Sequence, residues 1–225
     1  TTVINLATAI SFMNKKVLVV DLDPQGNATT GFGLNSESNV KTIYDVLSGN
    51  CHFEEAIKET KIKNLKIVSS NVDLSGLEVE TANENRRAFL LKDKIESFVN
   101  SPKNDFSYIF IDCPPSLSLL TIMSLVVAKS LIVPLQAEFF ALEGLSQLLK
   151  TIDRIKIKLN PDLEIRGVLL TMFDKRNKLS AQVDAEARKF LTEKVYETVI
   201  PRNVRLSEAP SHGVPILIYD KSCAG

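Results

Sequence analysis

The sequence predicts an α/β protein with a doubly wound, mostly parallel sheet flanked by helices. Its short β-rich runs are apolar at consecutive positions rather than alternate ones, as expected of strands covered by helices on both faces. Between them lie segments whose apolar residues recur at helical spacing. Strands alternating with helices imply right-handed crossovers, and ligands of such sheets bind beyond the carboxyl ends of the strands.

Taken in order, Val3 to Met13 reads as a helix and Val17-Leu18-Val19-Val20 as the first strand. Leu65-Lys66-Ile67-Val68 is the next strand, and Ala88 to Val99, with Phe89, Leu90, Leu91, Ile95, Phe98 and Val99, is a helix. Tyr108-Ile109-Phe110-Ile111 and Leu131-Ile132-Val133 are strands, Leu142 to Leu159 a helix, Gly167-Val168-Leu169-Leu170 a strand and Ser180 to Leu191 a helix. Thr1-Thr2 runs straight into the first helix with no strand before it, and Tyr219 to Gly225 reads as a loop or helix start. The expectation is a chain truncated at both ends. With no linker-like composition and no repeat, residues 1–225 are expected to form a single domain.

Composition narrows the function classes. At 225 residues and 44% hydrophobic the chain can bury one substantial core. Lys+Arg and Asp+Glu both number 27, which excludes a global, histone-like grip on nucleic acid and leaves only local patches. Cys51, Cys113 and Cys223 are odd in number and far apart, arguing against a disulfide framework or zinc ribbon and for a reducing cytoplasm. The longest apolar stretches, such as Leu125 to Ala128, fall far short of the roughly 20 residues that cross a bilayer, so no membrane association is expected.

Three blocks could carry chemistry. Asp21-Leu22-Asp23-Pro24-Gln25-Gly26-Asn27 sets two carboxylates at a strand's end, before a forced turn. Strand alternation would point Asp21 and Asp23 to the same side, suiting a general base or a Mg²⁺-linked water, although a solvated turn has the same pattern. Asp112-Cys113-Pro114-Pro115-Ser116 ends another apolar strand in one acid, either a Walker B-like metal residue or a helix cap. Cys113 reads as a small buried residue without chemistry. Pro201-Arg202-Asn203 begins a polar loop in which an amide could read a base edge, or which could be an ordinary loop. His52 and His212 have no partner at motif spacing.

With Asn5-Leu6-Ala7 and the Ser207 to Pro215 run, these blocks resemble the ParA/Soj branch of the ParA/MinD ATPases, which are P-loop NTPases. In order and separation they fit N-L-A, D-x-D-P-Q-G-N, D-C-P-P-S and P-R-N-x-x-L-S-E-A-P-S-x-G-x-P of that family across nearly the whole chain. The family's K-G-G-x-G-K-T-T phosphate loop would lie upstream of Thr1. Thr1 is then the tail of its threonine run and a phosphate-contacting candidate, or, with a one-residue shift, the Mg²⁺ ligand.

The resemblance implies further roles. Asp23 would position or activate the attacking water, with Asp21 beside it, and Asp112 would hold Mg²⁺ through water. Pro201, Arg202 and Asn203 would border the adenine. It also implies slow ATP hydrolysis, a homodimer in the ATP-bound state, non-specific DNA binding, a ParB-type centromere-binding partner and a cytoplasmic, nucleoid-associated protein that partitions chromosomes or plasmids.

Residues 150–205 carry 13 Lys+Arg against 8 Asp+Glu, an excess able to seat a few phosphates. Arg188, Lys189, Lys194 and Lys221 are the DNA candidates, each also readable as part of a solvated face. The competing expectation is an inactive remnant that keeps only partner or DNA contacts.

Overall fold

The computed structural model describes residues 1–34, 40–102, 104–138 and 140–225. They form two compact units, Thr1–Val127 with Ser207–Lys221, and Ala128–Leu206 with Ser222–Gly225. No glycine- or proline-rich linker accompanies the first change of unit, at Val127.

In the first unit, helix α1 (Thr2–Phe12) leads into strand β1 (Val17–Asp21), which is buried along its whole length. Short helices α2 (Asn27–Gly31) and α3 (Ile43–Leu47) follow, then strands β2 (Ile57–Glu59) and β3 (Leu65–Val68). Helices α4 (Leu77–Glu80) and α5 (Leu90–Val99), strand β4 (Tyr108–Asp112) and helix α6 (Leu119–Val127) complete the run.

The sheet order is β2-β3-β1-β4, parallel except for β2 against β3. Its central strand explains the continuous apolar run. Leu18 and Val20 pack with Val68, Leu91, Ile95 and Met123 on one face, while Val17 and Val19 pack with Leu65, Ile67, Ile4 and Ala7 on the other. With both faces covered, no position of β1 can be polar until the strand ends. Leu18, Leu91 and Met123 are among the side chains with no exposure, each stabilising by about 1.5–3 kcal/mol relative to a solvated position.

The second unit pairs β5 (Ser130–Gln136) in parallel with β6 (Glu164–Thr171) and packs α7 (Ala141–Lys158) and α8 (Lys178–Leu191) against them. Leu131, Val133 and Leu135 alternate into that core opposite Val168 and Leu170. The Asn177 side chain caps α8, accepting from Leu179 N at 2.9 Å.

The predicted α/β class and mostly parallel sheet are therefore the architecture found, and all five predicted strands are present. Strand β2 was not predicted, because three residues with two charges give no apolar signal; such a strand is what tolerates a sheet edge. Helix α6 was not predicted either, since Leu119 to Val127 is apolar nearly all round and lacks a helical stripe. Among the described residues no helix is long and apolar enough to cross a membrane.

The segment Ser207–Lys221 is fastened to α1 and α2. Asn5 Oδ1 accepts from Ile216 N at 2.8 Å. Gly33, at φ +74°, and Gly213, at φ +63°, cross backbone to backbone, so that a Cβ on Gly213 would stand 2.6 Å from the Gly33 Cα. Neither a side chain nor an ordinary φ fits there. Gly213→Ala should cost about 2 kcal/mol or more of unfolding free energy in urea denaturation, combining left-handed strain with a backbone clash. A variant as stable as the parent would show that this crossing does not hold the segment.

Candidate functional site at the carboxyl edge of the first sheet

Neighbouring strands β1 and β4 end in register, with Asp21 opposite Asp112. Both carboxylates thus reach the same edge of the sheet, where its ligands are expected. Leu22 N donates to Asp112 O at 2.7 Å, extending the pairing by one step before the chain turns.

The two acids of the first block have different surroundings. Asp21 is the last strand residue and has no exposure. Its Oδ2 accepts from Thr29 N at 2.8 Å and Thr29 Oγ1 at 2.7 Å, and its Oδ1 from Asp23 N at 3.2 Å. Burial pushes its carboxyl above the ordinary range, and the Thr29 bonds pull the other way.

Asp23 lies past the strand, so strand alternation does not govern it, and the expectation that it points with Asp21 is corrected here. It is half-buried and lines an open cleft of about 450 Å³. Gln25 N donates to its Oδ1 at 3.0 Å and the Asn27 amide to its Oδ2 at 3.2 Å. Gly26, in the left-handed conformation at φ +61°, donates its N–H to Asp23 O at 2.8 Å and starts α2. A carboxylate has about four lone-pair positions, so two bonds fix the Asp23 rotamer and leave acceptor capacity toward the cleft.

Asp112 is held up at about 6, first by burial and further by the charges of Asp21 and Asp23. Helix α1 also packs against β4, the strand that ends in this acid. Burial likewise pushes the Cys113 thiol up, so it stays protonated at neutral pH and is no nucleophile.

Beyond Asp112, Thr121 Oγ1 reaches back from α6 to the carbonyls of Pro114 and Ser116, holding the two-proline loop against the cleft. The cleft wall also includes Ser75, Glu78 and Ser118, whose hydroxyl is buried and without a hydrogen-bond partner. No sequence pattern marked these three, because their segments are neither periodic nor motif-like.

The adenine candidates belong to the second unit and sit just past the carboxyl end of β6. Pro201 bridges to Phe173, and Arg202 N donates to Phe173 O at 3.0 Å. Arg202 is exposed; Asn203 uses Oδ1 to accept from Arg205 N at 2.8 Å, beginning the short helix Val204–Glu208.

Of the DNA candidates, Lys189, Lys194 and Lys221 are exposed. Arg188 is committed elsewhere: Nε donates to Asp184 Oδ1 at 2.6 Å, and Nη2 to Tyr196 O at 3.0 Å. It ties α8 to the strand-like segment that follows.

Among the described residues no group of three or more His, Cys, Asp or Glu side chains is arranged to hold a metal directly. The donor chemistry nevertheless fits Mg²⁺ bound through water. Asp112, Asp21 and Asp23 supply only hard oxygen atoms, and their mutual repulsion is the charge excess that a divalent cation relieves.

A model of the family described as "AAA domain" matches residues 1–165. The chain is 49% identical over its whole length to the chromosome partitioning protein ParA of Caulobacter vibrioides, covering 84% of that protein. It is 47% identical over its whole length to the sporulation initiation inhibitor protein Soj of Bacillus subtilis, covering 87% of it. Among solved structures it is similar to cobyrinic acid a,c-diamide synthase from Mycobacterium smegmatis with a bound ATP analogue and magnesium. The TM-score is 0.83 at 33% identity, with 90% of this chain and 79% of that one covered.

Two outcomes test these placements. An acid whose pKa is raised on folding binds its proton more tightly in the native state, so stability is highest below pH ~4 and is lost as pH rises through about 6. Asp112→Asn should therefore raise the unfolding free energy at pH 7.5 by about 2 kcal/mol without Mg²⁺ or nucleotide, with the gain vanishing near pH 4. Arg188→Ala should lower stability by about 1–2 kcal/mol, whereas Lys189→Ala and Lys194→Ala stay within ~0.5 kcal/mol, all read by urea denaturation.

Proposed function

The chain belongs to the ParA/Soj family of partitioning ATPases, and on that footing we propose that the protein works as an ATP-driven partition switch whose hydrolytic centre is the carboxyl edge of β1 and β4. The observation that best supports this is the division of labour among three acids. Asp21 is sealed and bonded, Asp112 stands opposite it at the end of β4, and Asp23 alone of the pair on its loop faces the cleft.

In this reading the nucleotide's phosphates lie at the amino end of α1, where unpaired backbone N–H groups favour negative charge and Thr1 contacts it. Asp112 would hold Mg²⁺ through an intervening water. When bound, that ion neutralises charge on the β- and γ-phosphates. Pro201, Arg202 and Asn203 border the adenine.

Asp23 performs the step particular to hydrolysis. Its carboxylate, fixed by the Gln25 N–H and the Asn27 amide, accepts a hydrogen bond from the attacking water and orients it toward the γ-phosphorus. The water oxygen forms the new P–O bond as the bond to the β-phosphate oxygen breaks, leaving ADP, inorganic phosphate and the proton released from the water. Asp21 does not touch the water in this scheme; it holds the turn that carries Asp23.

The ATP-bound form pairs as a homodimer and binds DNA without sequence preference, through exposed lysines such as Lys189, Lys194 and Lys221, in the cytoplasm at the nucleoid. Affinity of that kind is salt-sensitive, which suits reversible attachment in a chain of zero net charge. A ParB-type centromere-binding partner stimulates hydrolysis and so resets the switch.

In the full-length protein Asp23→Ala should retain binding of a fluorescent ATP analogue while phosphate release falls about 100-fold or more. Phosphate release equal to the parent's would remove Asp23 from this role and, with it, the proposed centre.

A further inference from the structure

Thr29 joins three elements in the floor of this site. It is 3% exposed, beside Asp21 at 0% and Ser70 at 2%. Its hydroxyl donates to Asp21 Oδ2 at 2.7 Å and accepts from Ser70 N at 3.1 Å. One oxygen therefore ties the end of β1, helix α2 and the chain leaving β3, using its donor and an acceptor position at once.

The neighbouring contacts converge on the same turn. Thr29 N also donates to Asp21 Oδ2, and Asp21 Oδ1 receives Asp23 N. Gly26 lies beside Ser70, since a Cβ built on it would stand 3.4 Å from Ser70 O, in ordinary contact. Ser70 contributes through its backbone: its hydroxyl is buried and makes no hydrogen bond. Beyond Ser70 the chain runs into Leu74, Ser75 and Glu78, which line the cleft opposite Asp23.

We propose that Thr29 is a positioning residue for hydrolysis: its hydroxyl sets the Asp23 turn against the β3 end, fixing the distance between the water-orienting carboxylate and the far wall of the cleft. This rests on the reading that Asp23 acts on the attacking water. Thr29 is sealed from the cleft by the turn it supports, so it acts through Asp21 and Ser70 rather than on the nucleotide. Loss of the hydroxyl strands two buried partners, Asp21 Oδ2, which loses its second donor, and Ser70 N, which loses its acceptor, and lets both sides of the cleft relax. A displacement on the order of 1 Å at a reacting group costs about 100-fold in rate even where binding is unaffected.

The test uses the full-length protein and compares Thr29→Ser, Thr29→Val, Thr29→Cys and Asp23→Asn, each measured well below its own unfolding midpoint. The readouts are kcat for phosphate release, KM, the dissociation constant of a fluorescent ATP analogue, and the folded fraction. Thr29→Val should lower kcat at least 10-fold per folded molecule while KM and analogue affinity change less than about threefold. Thr29→Ser, which keeps the hydroxyl, should recover kcat to within about threefold of the parent.

Thr29→Cys has nearly the parent's size and a weak donor, and it covers the case in which valine does not fold; its kcat should fall between those of Ser and Val. A drop in folded fraction with unchanged kcat per folded molecule would reduce Thr29 to a structural residue and overturn the proposal. Equal loss in Ser and Cys variants would overturn it too, since the hydroxyl would not be the group that matters. Asp23→Asn separates the two readings. If it abolishes turnover while Thr29→Val and Thr29→Cys leave kcat within about threefold of the parent, only the positioning role falls; if it leaves turnover intact, the Asp23 reading falls and takes this one with it.

Discussion

Burying a carboxylate at the end of a central strand costs several kcal/mol unless its lone pairs are met, and the way this chain meets those of Asp21 organises the edge around it. The donors come from the next loop and from α2, at Asp23 N, Thr29 N and Thr29 Oγ1. To supply all three the chain must reverse within a few residues, which it does through the left-handed Gly26. The same reversal carries Asp23 out of the sheet and over the cleft. The sealed acid and the cleft-facing acid are thus one construction: satisfying the first dictates where the second stands.

Much of this architecture was legible in the sequence, and for a definite reason. β1 is covered on both faces, so Val17 to Val20 had to be apolar without interruption. The helical stripe of Leu90 to Val99 survives because α5 has one buried face, at Leu91, Ile95 and Phe98. What was not legible lacked a periodic signal. β2 is a short charged edge, α6 is apolar nearly all round, and α2 is a five-residue helix inside what reads as a turn.

The site was half legible. The acids at the ends of β1 and β4 could be found because a charge after an uninterrupted apolar run marks where a strand leaves the core. Their different fates could not be read, since the period of two stops at Asp21 and the position of Asp23 is set by Gly26 and Thr29 instead. Thr29 itself gave no signal: a threonine in a polar loop is unremarkable until its hydroxyl is seen between Asp21 and the backbone of Ser70, distant in sequence. Arg188 fails in the opposite sense. Its charge suggested a ligand contact, but a guanidinium near Asp184 and two backbone carbonyls is occupied by its own fold.

The carboxyl-terminal block of the family pattern reads as one motif, yet its parts do separate work. Pro201 and Arg202 run beside Phe173 in the second unit, whereas Ser207 onward belongs to the first, held by Ile216 N on Asn5 and by the Gly33–Gly213 crossing. Gly33 follows α2 directly, and α2 carries Thr29. The residue that needs Gly213 to lack a side chain is therefore continuous with the helix that seals Asp21. A shift of the Gly213 loop would push on the end of α2 and hence on the donors to Asp21.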